Sequence, residues 1–377
     1  MRKVVQRHGG MVSENTGPGG NPEWTLEFFR GWAALMVVFA HYHGIAHMDP
    51  GLLRFAFTGV DLFFVISGFV FAPYLFGRLL QPVPFLIRRV FRIYPLYVLA
   101  LICYAALHWV HGAANDYFFT HLFFLETTQS LDIAFYYNPA FWSLPPEVEF
   151  YLVLPLLALL MRRGSWFVWM AVAALLVHLM VAMEFPRHLD PAHPGSWALL
   201  SVHLPGLLIE FFIGACAWFL AQKNPSTTTR WGLLVAGVLS WLGLAWVFSS
   251  LFAAGGDQAI VENAWLRGNL GMLAALSYAL VVSACVGWWP SPPSWIRQGA
   301  LGLGHLSYGL YLLHNATPQL LQPVAGWFSP AVFAGLCFLV TVMGVGLVHV
   351  TVEAPLREWG RRWADRIRGQ TSRRGAE

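Results

Sequence analysis

With 377 residues, 57% of them hydrophobic and only 11% charged, the chain cannot cover its surface as a soluble domain does, where roughly a quarter of residues are charged. The mean hydropathy of +0.56 excludes water as its main solvent, and 18 Trp with 29 Phe supply the aromatic load found where helices meet lipid headgroups. The net charge of +4 reflects basic loops on one side of a membrane and is no sign of a nucleic-acid partner.

A membrane span needs about 20 mostly apolar residues, because the hydrocarbon core is ~30 Å thick and a helix rises ~1.5 Å per residue. Residues 1–24 are polar and Gly-rich, a disordered cytoplasmic tail without the apolar run and cleavage site of a signal peptide. Apolar windows follow at 26–47, 57–78, 88–110, 145–161, 165–183, 204–222, 231–252, 268–288, 300–321 and 329–352, with 185–203 the least regular connection. They predict an all-α polytopic membrane protein of about ten transmembrane helices, a single membrane domain over 25–356 and a basic cytoplasmic tail over 357–377.

Lys and Arg accumulate on the cytoplasmic side of a membrane protein. Placing both termini there puts Arg2, Lys3, Arg7, Arg30, Arg78, Arg88, Arg89, Arg92, Arg162, Arg163, Lys223, Arg230, Arg297 and seven arginines from Arg357 to Arg374 inside, against Arg54, Arg187 and Arg267 outside. That division, twenty to three, accounts for all 23 Lys and Arg. A missed or extra span would scramble it.

The longest outer connection, 111–144, holds Asp116, Glu126 and Asp132 but no Lys or Arg, is dense in Phe and Tyr, and suits a cap over an outward cavity. Cys103, Cys216, Cys285 and Cys337 each lie within an apolar window, an arrangement that suits neither disulfides nor a zinc site. No repeat of fixed period is present.

An ionisable side chain inside a bilayer costs a few kcal/mol and needs a partner or a purpose. At the inner side stand Arg30 and the run Arg88-Arg89-Val90-Phe91-Arg92, in which Arg89 and Arg92, three apart, share a helix face. Two guanidiniums aimed at one point suit a phosphate-bearing ligand, and they equally suit anchoring to lipid headgroups. At the outer side stand His41, eleven residues beyond Arg30, with Asp61 and Glu147 at the outer starts of the second and fourth windows. An imidazole held by a carboxylate is the usual general base for a hydroxyl, although such residues also serve as interhelical hydrogen bonds and helix caps. His178, Glu210 and His314 are further candidates for an outer cavity, and Glu149, two residues from Glu147, faces away from it.

Several stretches resemble the acyltransferase 3 family of membrane-bound O-acyltransferases. Leu26-Glu27-Phe28-Phe29-Arg30-Gly31 leading to His41 is similar to the family's opening motif and its essential His. Gly59-Val60-Asp61-Leu62-Phe63-Phe64-Val65-Ile66-Ser67-Gly68-Phe69 resembles the second-helix signature, and Arg89-x-x-Arg92 the paired-arginine motif. Trp142-Ser143-Leu144-Pro145-Pro146-Glu147-Val148-Glu149-Phe150-Tyr151 resembles the Trp-Ser-Leu-x-x-Glu pattern, with Ser307-Tyr308-Gly309-Leu310-Tyr311-Leu312-Leu313-His314 and Glu353-x-Pro355 similar to the last two helices. Glu27 and Phe28 depart from the family's usual Asp and Gly.

The resemblance implies transfer of an acyl group, commonly acetyl from acetyl-CoA, to a carbohydrate hydroxyl, by a protein of the bacterial cytoplasmic (inner) membrane that needs no metal. It implies His41, Glu147 and Asp61 as catalytic residues, Arg30, Arg88, Arg89 and Arg92 as donor-binding residues, and Trp142, Tyr151, Tyr308 and His314 as substrate-binding residues. Direct attack assisted by His41 and a covalent acyl-His route both fit. The alternative is a transporter or flippase that uses the same intramembrane His, Asp, Glu and Arg as a path.

Overall fold

The computed structural model describes residues 24–48, 51–161, 166–184, 199–289 and 291–374. The expected N-terminal tail, except for Trp24, and Arg162, Arg163 and Arg187 lie outside the described residues. Within them every apolar window coincides with a helix: α1 (Trp24–Ile45), α2 (Gly59–Leu75), α3 (Pro82–Val110), α4 (Leu144–Leu160), α5 (Trp166–Glu184), α6 (Leu204–Gln222), α7 (Thr227–Glu262), α8 (Ala264–Cys285), α9 (Ser294–Leu313) and α10 (Pro330–Val348). A further helix, α11 (Ala354–Arg374), follows α10 through a wide turn at His349–Glu353. No strand occurs among the described residues.

Local chemistry sets the helix starts. Proline, which lacks the N–H that a first turn leaves unused, stands at the start of α3, α4, α6 and α10. Ser226 caps α7 by accepting from Thr229 N (3.2 Å), and Asn263 caps α8 by accepting from Leu266 N (3.1 Å). Helix α7 outruns its window but breaks at Gly255 and Gly256, where φ of +63° at Gly256 requires a residue without a Cβ.

Among the described residues, eight helices are long and apolar enough to cross a membrane. Of the ten that match the windows, α1 and α9 fall outside that set, since α1 carries Glu27, Arg30, His41 and His43 and α9 carries Arg297 and His305. Large apolar side chains such as Trp231, Leu239 and Trp246 on α7 face outward, while Glu27, Arg30, Asp61 and Glu210 are buried. This inverts the soluble pattern and identifies a polytopic membrane protein.

Helix α1 packs along α9, α2 along α6, α7 along α8, and α11 along α3. The α2–α6 contact depends on backbone approach: a Cβ at Gly68 would lie 1.9 Å from Phe211 O, and one at Gly214 would lie 2.1 Å from Val65 O. Stacking of Phe150 on Phe211, centroids 4.1 Å apart, binds α4 to the same seam. One end of the bundle is marked by Trp24 Nε1 donating to Trp289 O (3.1 Å) and by Arg230 Nη1 donating to Ala284 O (2.7 Å) and Val286 O (2.9 Å). The starts of α1, α3, α7 and α11 gather there.

Three features depart from the sequence reading. Connection 111–143 does more than cap the bundle: it folds into it. Tyr97, midway along α3, donates to His121 O (2.7 Å), its ring stacks on Phe124 (4.4 Å), and Asn138 Nδ2 donates to Leu312 O (2.9 Å). The window 300–321 is two helices, α9 and a short Ala316–Leu321 turn, because the chain bends at His314 and Asn315 to meet Tyr42 and Asn138. The expected tail from 357 is helix α11, docked by Trp359 and Trp363 against Phe91 on α3 (centroids 5.0 and 5.9 Å).

The inserted connection is latched by His203, which precedes α6. Its Nδ1 meets Glu149 Oε1 (2.5 Å) and its Nε2 meets Thr127 O (3.1 Å). Both partners only accept, so the ring is a doubly protonated imidazolium, and the bond to Glu149 holds its pKa above the ordinary value. Beside it, burial pushes the Glu126 carboxyl up to about 8.

Two predictions follow from this packing. Gly68→Ala and Gly214→Ala each force α2 and α6 apart, and each should lower stability by about 1–3 kcal/mol, read by thermal unfolding of detergent-purified protein; unchanged melting in both would refute the close approach. The latch should weaken as pH rises: folded Glu126 keeps a proton up to about 8 that an unfolded carboxyl releases near 4.5, and folded His203 keeps one above its ordinary 6.5. The Glu126 contribution is complete below about pH 4.5 and gone above about pH 8, and that of His203 is lost above 6.5, so the melting temperature should fall as pH rises from about 4.5 past 8, less steeply in Glu126→Gln. A flat profile would count against the latch.

Candidate functional site

A cavity of about 60 Å³ lies inside the bundle, with room for roughly four water molecules. Five helices line it: α1 with Arg30, α2 from Val60 to Phe71, α3 with Arg89 and Arg92, α4 with Glu147 and Tyr151, and α9 with Ser307, Tyr308 and Tyr311. Six of the sequence-expected residues therefore meet there: Arg30, Arg89, Arg92, Glu147, Tyr151 and Tyr308. Glu147 shares this chamber with the arginines because connection 111–143 enters the bundle before α4 begins.

Arg30, Arg89 and Glu147 each have a partner at the chamber. Arg30 is buried and forms an ion pair with Glu27 one turn earlier, the residue that departs from the family's usual Asp. Glu27 also feels the positive charges of Arg92 and Arg357. The Arg89 guanidinium lies over the rings of Phe71 (5.2 Å), Phe85 (5.7 Å) and Tyr151 (5.7 Å), a cation–π cage that keeps it pointing inward. Glu147 accepts from the Tyr151 hydroxyl and from Ser67 Oγ (3.5 Å). Tyr308 donates to Ile93 O (3.0 Å), and Tyr311 donates to Ala140 O (2.6 Å). Arg88, one residue and about 100° of helical turn from Arg89, does not line the chamber; its Nη1 lies 3.8 Å from Asp365 Oδ1 on α11.

His41 does not line the chamber, and its partner is neither of the expected carboxylates. Its ring lies 4.9 Å from that of His314, with His41 Nδ1 3.3 Å from His314 Nε2 and 2.8 Å from Val37 O. The tautomers follow from the acceptors. His314 Nδ1 meets Leu310 O (3.0 Å) and Tyr311 O (2.9 Å), so it bears the proton and leaves Nε2 as a lone pair. His41 Nδ1 then faces two acceptors and must carry a proton, which leaves His41 Nε2 as the basic nitrogen. The neighbouring Tyr42 holds α9 in place by donating to His314 O (2.6 Å).

Asp61 lies elsewhere. It shares a hydrogen bond with Glu210 of α6 in a second cavity of about 300 Å³, which Trp142, His178 and Arg267 also line. The two cavities share a wall. Val60 faces both, Trp142 lines the larger one, and the next residues, Ser143 and Leu144, line the smaller.

Four polar residues close to the first chamber were not among the expected site residues, although the sequence reading quoted Glu353 and Arg357. Glu353, in the wide turn after α10, is held by His349 Nδ1 (2.9 Å) and Arg357 Nη1 (3.2 Å), and Arg357 and His305 both act electrostatically on Glu27. The Glu353-x-Pro355 stretch was the available signal.

Comparison with known proteins identifies the family. Residues 23–351 match the sequence profile of the acyltransferase 3 family, described as an acyltransferase domain. The chain is 26% identical over 307 residues to a protein of Acidianus two-tailed virus named as an acetyltransferase, covering 78% of this chain and 83% of that one. It is also 26% identical over 335 residues to nodulation protein 10 of Rhizobium leguminosarum bv. viciae, covering 80% and 84% respectively. No solved structure matches the chain.

Proposed function

Since the chain belongs to the acyltransferase 3 family and is an acyltransferase, we propose that it transfers acetyl from acetyl-CoA to a hydroxyl of an envelope or extracellular carbohydrate. The observation that carries this reading is the convergence of Arg30, Arg89 and Arg92, from two helices, on one chamber with Glu147 and three tyrosines. Guanidiniums in a water-poor chamber attract anionic oxygens, and an acyl thioester offers them twice: on the coenzyme's phosphates, and on the acyl carbon's oxygen as that carbon becomes tetrahedral. The chamber admits an acyl group but not a nucleotide, so the coenzyme's adenosine end remains outside it.

His41 is the general base. Its Nε2 takes the acceptor's hydroxyl proton as the acceptor oxygen attacks the thioester carbon; the C–S bond breaks, and the departing thiolate receives that proton to leave as free coenzyme A. The His314 lone pair accepts from His41 Nδ1–H and so fixes the reactive tautomer, the part that a carboxylate takes in the familiar triad. Glu147, Tyr151 and Tyr308 position the acyl end, and Trp142 the acceptor.

The ten helices that match the windows span the bacterial cytoplasmic membrane with both termini inside. Supporting this, Arg78, Arg88, Lys223, Arg230 and Arg297 all stand at the helix ends that gather with the start of α1. The donor then enters from the cytoplasm and the acceptor from outside.

Reconstituted His41→Ala protein should lose about 10²–10⁴-fold in turnover while inserting normally; full turnover would refute the base. His314→Ala should lower kcat more than it raises KM, and an unchanged kcat would remove it from the mechanism. Arg89→Ala and Arg92→Ala should each raise the apparent KM for acetyl-CoA about tenfold or more, as expected for a lost charge-assisted hydrogen bond of about 1.5–3 kcal/mol. An unchanged KM in both would sink the donor-binding role.

A further inference from the structure

The second cavity has features that packing does not explain. At about 300 Å³ it reaches the size of small-molecule sites. Two buried residues in its wall each leave one polar atom without a partner. Glu210 is 1% exposed, and its Oε2 has no hydrogen bond. His178 is 6% exposed; its Nδ1 donates to Gly206 O (2.8 Å), so its Nε2 is a bare acceptor, also without a partner. An unmet buried polar group costs about 1–3 kcal/mol, and a fold tolerates two side by side where something else meets them. The cavity is lined by both.

The chemistry of the occupant can be read from the wall. His178 Nε2 calls for a donor, which excludes a plain hydrocarbon. Glu210 joined to Asp61 disfavours an anion, and Arg267 in the same wall disfavours a cation. A neutral molecule rich in hydroxyls donates to both Glu210 and His178, with Trp142 offering an aromatic face to the C–H side of a sugar ring. The carboxyl couple is accommodated by design of the opposite helix: a Cβ at Gly271 would stand 2.6 Å from Asp61 Oδ1 and 2.8 Å from Glu210 Oε1. Any larger residue there would push the couple out of place.

We propose that this cavity is a polyol site which holds one neutral pyranose ring of the acyl acceptor, with Glu210 and His178 accepting its hydroxyls and Trp142 stacking on its face. The assignment as acceptor site rests on the acyl-transfer reading, and the shared wall gives it meaning. A ring held between Trp142 and Glu210 lies in a cavity that shares Val60 with the arginine chamber and adjoins it at the start of α4.

The test is saturation-transfer NMR on full-length protein in nanodiscs, with methyl α-D-glucopyranoside and methyl α-L-rhamnopyranoside as probes and butylammonium and acetate as charged comparators. At least one glycoside should receive saturation and neither comparator should. His178→Ala and the near-isosteric Glu210→Gln should each weaken that binding at least tenfold, and Gly271→Ala should abolish it, with acetyl-CoA binding retained in the same samples as proof of folding. If His178→Ala fails that check, Glu210→Gln decides. No glycoside binding, binding unchanged in the folded variants, or preference for a charged comparator would overturn the site. Glycoside binding that depends on these residues, in protein inert toward thioesters, would keep the polyol site and sink the acyl-transfer reading. Acyl transfer indifferent to Glu210 and His178 would do the reverse.

Discussion

Arginine keeps its proton in proteins, so a chain that carries Arg30, Arg89 and Arg92 into an apolar bundle must arrange its other parts around three fixed positive charges. Much of the architecture can be understood as that arrangement. Glu27 sits one turn before Arg30 and pairs with it. The faces of Phe71, Phe85 and Tyr151 surround Arg89 with the negative side of their ring quadrupoles, an answer to charge that needs no second ion. Glu147 reaches the group because a polar connection has been drawn into the bundle and latched there by His203 and Glu149. The wide turn at His349–Glu353 brings one more carboxylate to Arg357 at the edge of the same cluster.

The helices were legible because hydropathy reports which segments leave water, and every apolar window is helical, one of them, 300–321, as two helices. Their ends were less so. Proline starts α3 six residues before its window, and the polar pair His314-Asn315 ends α9 inside its window; both are local side-chain chemistry that a hydropathy average smooths away. The basic residues after 357 read as a tail because charge dominates their average, whereas Trp359 and Trp363 fall on the one face that meets Phe91.

The site was legible in its parts and not in its pairings. A three-residue spacing is enough to put Arg89 and Arg92 on one face, and the same geometry turns Arg88 toward α11. Spacing along one helix says nothing of how that helix is rotated against its neighbours. His41 and His314 are separated by 273 positions, and Asp61 and Glu210 by more than a hundred, so depth alone made His41, Asp61 and Glu147 look like one group. In the folded chain they occupy three settings: a histidine pair, a carboxyl couple and an arginine chamber.

The wall through Val60 also divides the inheritance of the molecule. The arginine chamber is lined from α1, α2, α3, α4 and α9, and the larger cavity from α2, α5, α6, α7 and α8, with Phe57, Trp142 and Ser201 from the connections. Only α2 and the three residues from Trp142 to Leu144 serve both. Substitutions on α5 to α8 therefore reshape one chamber without replacing a lining residue of the other, and a lineage can drift in what it recognises on that side while the residues of its reactive machinery stay unchanged. In such a bundle α2 is the segment that tolerates drift least, because a change there is felt on both faces at once.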